Sequence, residues 1–116
     1  MLAVKRTTNP PLAMTSLAPA HGATGAPLTP TLSGIARDRV GGTLTVSFYV
    51  RSAGSASWNV ANGARVSVAS GSRASHRLGE GRLQPGRTYE WSARACNAAS
   101  VCAAAGRVLR FTTRSS

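Results

Sequence analysis

The chain has 116 residues, room for one domain and little more. No stretch approaches the ~18 apolar residues of a membrane helix, so no membrane span is expected. Fourteen basic residues against three acids give a formal charge of +11, a field that favours anionic partners such as nucleic acid, acidic wall polymer or an acidic protein surface.

The acids are Asp38, Glu80 and Glu90, and every basic residue except Lys5 is Arg. GC-rich coding accounts for Arg over Lys but not for the shortage of acids. Two cysteines, Cys96 and Cys102, are too few for a zinc site. A disulfide closing a short loop, in an oxidising compartment, is preferred over two free thiols. Sequence alone does not fix the pairing.

Residues 1–30 are rich in Ala, Pro, Thr and Ser and sustain no period of 2 or 3.6, which reads as an extended arm or linker. Thr7-Thr8-Asn9-Pro10-Pro11 stands where a signal peptide would have its apolar core, so none is read there. The folded domain is expected over 31–114.

Thr31–Ala36 reads as the first strand, with Leu32 and Ile35 inward across an irregularity at Gly34. Arg37–Gly42 is turn-forming. Thr43–Arg51 alternates cleanly: Leu44, Val46, Phe48 and Val50 on one face, Tyr49 and Arg51 on the other. Trp58 and Val60 start a short strand, Asn62-Gly63 reads as a hairpin turn, and Arg65–Ser70 as the return strand. Ala74–Leu78 is a weaker strand. Leu83-Gln84-Pro85-Gly86 turns the chain into an alternating run in which Tyr89, Trp91, Ala93 and Ala95 share the buried parity. A small-residue loop from Cys96 to Gly106 leads to a last strand, 107–113, with Leu109 and Phe111 inward. About seven strands separated by turns every 8–12 residues is the spacing of a single antiparallel β-sandwich.

The spacing Leu83-x-Pro85-Gly86-x-x-Tyr89 looks like a tyrosine corner, in which a Tyr near a strand start bonds back to upstream backbone. Together with Thr29–Ser33, the Thr43–Val50 strand, Val68–Ser72, Trp91, Arg94-Ala95-Cys96 and Phe111-Thr112, it resembles the fibronectin type III-like or immunoglobulin-like modules of secreted and wall-associated bacterial proteins, especially actinobacterial ones. The resemblance spans about residues 29–113. It departs at Arg37-Asp38-Arg39, where such modules carry an Asp/Gly-rich turn, and at Ala103-Ala104-Ala105, where they continue Ser-Ala-Trp. It implies a disulfide between Cys96 and Cys102, and a non-enzymatic protein-interaction or spacer module that is extracellular or at the cell surface. A phage virion protein, its arm docked on a capsid or tail lattice, is the first alternative. A binder of carbohydrate or anionic polymer is the second.

Catalysis finds little in the residues. His21 lies in the arm, His76 reads as a surface histidine on a weak strand, and the acids are scattered, so neither a hydrolytic triad nor a glycosidase carboxylate pair assembles. Gly79-x-Gly81 opens no helix and so is no phosphate loop. No cofactor or metal is expected. Tyr49, Arg51, Arg65, Arg94 and Arg110 all fall on the polar parity of their strands and form a candidate binding face if those strands share a sheet. With 5% aromatic residues, sequence-specific nucleic-acid binding is not expected.

Overall fold

The computed structural model describes residues 10–103 and 107–115. They form eight strands and no helix: β1 (Thr15–Ala18), β2 (Ala23–Ala26), β3 (Thr31–Ile35), β4 (Thr43–Ser52), β5 (Ala61–Ala69), β6 (Arg73–Arg77), β7 (Thr88–Cys96) and β8 (Leu109–Thr113). One sheet has the order β1-β3-β6, the other β2-β8-β7-β4-β5. All pairings are antiparallel except β2 with β8, which is parallel, so the larger sheet is mixed and not purely antiparallel as the sequence suggests.

Alternation in β4 and β7 builds the core. Leu44, Val46, Phe48 and Val50 are fully buried, as are Trp91 and Ala95. Leu32, Ala36, Ala74 and Leu78 meet them from the smaller sheet, in one continuous cluster. Aromatic rings span it: Phe48 stacks on Trp91 at 6.4 Å and on His76 at 5.9 Å. Tyr89 stacks on Phe111 at 5.9 Å. His76 therefore faces a core ring and is half-buried, not a surface histidine.

Residues 15–26 differ most from the sequence reading. They are expected in an arm, yet they add one strand to each sheet. The reason is visible in the buried groups. The Trp91 indole N–H has no water to reach and donates to the Pro19 carbonyl at 3.0 Å. Buried indole groups require such an acceptor. Met14 and Leu17 pack on the core beside Gly34, where a Cβ would lie 2.6 Å from Leu17 Cδ2 and 2.8 Å from Met14 Cε. Gly34 leaves the space those side chains occupy. β2 is held through Gly22 N–H donating to Arg110 O at 2.8 Å and Arg114 N–H donating to Ala26 O at 2.9 Å. The first nine residues of the expected arm lie outside the described residues, as do Ala104 and Ala105.

Three local expectations change. β3 pairs with β6 in unbroken register through Gly34, and Ala36, not Ile35, is the fully buried residue. Trp58 and Val60 form no strand; residues 53–60 are the loop between β4 and β5. Asn62-Gly63 is no hairpin turn. It lies inside β5 at a register shift opposite Phe48 and Tyr49, where Gly63 has φ +95°. A bulge uses the same left-handed glycine a tight turn would use.

The Tyr89 hydroxyl accepts the Gln84 amide at 2.9 Å. The turn is stitched to the C-terminal strand as well: Thr113 Oγ1 donates to Gln84 O at 2.6 Å, and Gly86 N–H donates to Arg114 O at 2.9 Å.

Trp91→Phe keeps a ring in the core but removes the donor to Pro19 and part of the ring volume. The expected cost is about 1–3 kcal/mol. Residues 10–26 should then become cleavable by trypsin-free proteases at concentrations that leave the wild type intact, read by mass spectrometry of the limited digest.

Candidate cationic face of the five-stranded sheet

The register of β5, β4, β7 and β8 lays the outward side chains in rows. Arg65, Ser47 and Arg94 form one row across β5, β4 and β7. Asn62, Tyr49 and Ser92 form the next. Arg51, Glu90 and Arg110 form a third across β4, β7 and β8. Tyr49, Arg51, Arg65, Arg94 and Arg110 thus share one face of one sheet. Two of its four arginines, Arg51 and Arg110, flank its one carboxylate, Glu90.

Glu90 sits in the middle of its row with 10% of its side chain exposed, flanked by Arg51 and Arg110. Arg51 Nε donates to Oε1 at 2.8 Å and Arg110 Nε to Oε2 at 2.9 Å. The two arginines cover Glu90 from either side of its strand. The Arg51 hydrogen bond, opposed by burial and reinforced by Arg110, holds the Glu90 carboxyl below the usual glutamate range. Both arginines bind through Nε, which leaves their terminal nitrogens uncommitted to Glu90.

Trp58 joins this face from the 53–60 loop. The Arg51 guanidinium lies 4.4 Å from the Trp58 ring centroid, within cation–π range. The Tyr49 ring meets Trp58 at 5.7 Å with the planes tilted by 49°. Tyr49 also passes over the bare backbone of Gly63, whose Cβ position would lie 3.8 Å from Tyr49 Cε1. The loop is held by Ser52 N–H donating to Asn59 Oδ1 at 3.0 Å and by Ser55 N–H donating to Ser52 O at 3.0 Å. Tyr49 and Trp58 are both half-buried, so Trp58 is neither core nor free. Parity reveals the arginines and Tyr49. It carries no signal for Trp58, which reaches the face by a loop.

The side chains of Arg65 and Arg94 are exposed and make no hydrogen bond or ion pair among the described residues. Between them lies Ser47, 6% exposed.

Elsewhere the structure spreads the chemistry-bearing residues out. Cys96 and Cys102 sit at disulfide distance beside the loop that follows β7. His21 Nδ1 accepts the Arg110 amide at 3.1 Å. A cleft of about 320 Å³ between β1 and β8 is lined by Met14, Leu17, His21, Arg107 and Leu109. Another of about 340 Å³ lies by Leu28, Glu80, Leu83 and Arg114. No group of three His, Cys, Asp or Glu side chains able to hold a metal occurs among the described residues. No helix there is long and apolar enough to cross a membrane.

No protein-family model matches the chain, and neither a curated protein nor a solved structure matches it.

Because the Glu90 pKa is lowered on folding, its stabilisation is present above the unfolded glutamate value and disappears as pH falls through the folded value. Urea unfolding compared at about pH 7 and about pH 3 should show a loss of stability that is smaller in Glu90→Gln. An equal loss in both proteins would remove Glu90 from the acid response.

Proposed function

We propose that the chain is a non-enzymatic interaction module of the immunoglobulin-like or fibronectin type III-like sandwich type. It works outside the cell or at a bacterial surface and docks an anionic partner, in the first place a protein, on the outer face of its larger sheet. The observation that carries the reading is the convergence of Arg51, Arg65, Arg94 and Arg110 with Tyr49 on that one face. Trp, Tyr and Arg are the side chains that concentrate binding energy in interfaces, and unneutralised arginines speed association with an anionic surface.

Supporting the sandwich type is the strand order. The N-terminal segment splits between the two sheets, its second half running parallel to the last strand, and the Tyr near the start of β7 bonds back to the turn before it. The Cys96–Cys102 pair supports an oxidising compartment. The virion reading leaned on a long docking arm; with residues 15–26 built into both sheets, that support shrinks to what precedes them.

Sedimentation of the purified domain with isolated bacterial envelopes tests this. The wild type should pellet, and a triple variant, Arg65→Ser with Arg94→Ser and Arg110→Ser, should pellet at least about tenfold less, a loss of about 1.4 kcal/mol. Equal pelleting of the two would overturn the face as the docking surface. Digesting envelope proteins first should abolish binding if the partner is a protein.

A further inference from the structure

We propose that the same face holds a built site for an acidic saccharide: one pyranose ring on the Tyr49–Trp58 pair and its carboxylate or sulfate between Arg94 and Arg65. This deepens the docking reading and rests on it.

The site has three parts. The first is an aromatic platform. Tyr49 and Trp58 meet at 5.7 Å, and the pair is fixed before any ligand arrives. Arg51 covers one side of Trp58 at 4.4 Å, Gly63 supports Tyr49, and Asn59 ties the loop to β4. A platform already ordered loses little entropy on binding.

The second part is the anion seat. Ser47 pairs with Arg65 on one side and with Arg94 on the other, so the two arginines straddle β4, about 10 Å apart at their backbones from two strand spacings of ~4.8 Å. Two free guanidinium forks over a small Ser suit an anion with planar or tetrahedral oxygens.

The third part is their separation. Tyr49 lies opposite Ser92, and Arg94 is two residues further along β7. Such diagonal neighbours stand about 7–8 Å apart, within reach of long side chains. A ligand that spans the two sites must carry its charge one short step from a ring with flat C–H surface. An acidic pyranose does so within a single residue.

The surroundings agree with a sugar. Thr45 and Ser67 stand opposite each other on this face, and Thr88 and Thr112 form a bonded hydroxyl pair at 3.0 Å, so hydroxyl groups flank the arginines. A single-stranded nucleic acid would want successive stacking rings along its path, and the face has one platform only among the described residues.

The test is equilibrium binding to four polymers: polygalacturonate, dextran sulfate, neutral dextran and oligo-dT. The expected result is binding to an acidic polysaccharide, with dextran unbound and oligo-dT weaker. Trp58→Ala and Arg94→Ser should each weaken it at least about tenfold, and Arg39→Ser, an exposed arginine in the 36–42 loop, should leave it within about twofold. Arg94 is exposed, so its variant keeps the test open should Trp58→Ala unfold. The proposal is overturned if neither acidic polysaccharide binds, if Arg39→Ser costs as much as Arg94→Ser, if Trp58→Ala has no effect, or if oligo-dT binds more tightly through the same residues. Envelope binding that depends on the face but vanishes after protein digestion, with no polysaccharide bound, would retain the docking module and reject the saccharide.

Discussion

The fold depends on one buried donor. Trp91 stands in the central strand of the larger sheet with no exposed surface, and its N–H must have an acceptor inside the molecule. A buried N–H left without one costs about 1–3 kcal/mol, a large part of a small domain's stability. Pro19 supplies the acceptor from a segment 72 residues earlier in the chain. That single requirement ties the N-terminal segment to the core. It also explains how a sequence with the composition of a linker comes to lie across two sheet edges. Leu17 and Met14 then cover Gly34, and Gly22 and Ala26 attach β2 to β8.

How legible each element is depends on whether its signal is local. β4 and β7 carry their alternation in their own residues, and Leu44 to Val50 and Tyr89 to Ala95 are buried where a period of two puts them. β1 and β2 have four residues each, and of these only Leu17, Ala23 and Ala26 belong to the core or pack against it. A period cannot show in so short a run, so the pairing is decided by partners far along the chain. Asn62-Gly63 misleads for a different reason. Its signal is a backbone conformation, and a bulge within β5 satisfies it as well as a turn would.

The candidate face divides along the same line. The arginines follow strand parity, so Arg51, Arg65, Arg94 and Arg110 can be placed together from sequence once their strands share a sheet. What parity cannot supply is the contrast between them. Arg51 and Arg110 are engaged by Glu90 and serve partly to hold it, while Arg65 and Arg94 have no carboxylate beside them. Nor can it supply Trp58, whose place follows from the ring of Tyr49 and the guanidinium of Arg51. The chemistry of the face is therefore a property of the folded sheet: one half is tied down by a carboxylate, the other is charged and open.

The N-terminal segment also has a mechanical consequence. β1 and β8 both run away from the end of the molecule that holds the 36–42 loop, so residue 10 enters at that end and residue 115 leaves at the other. Tension applied between these two points pulls β2 one way and β8 the opposite way along their shared axis. Their parallel hydrogen bonds are then loaded side by side in shear, and none can open before the others. β1 against β3 is loaded in the same sense. A domain held this way resists stretching along its length better than it resists peeling from its edge.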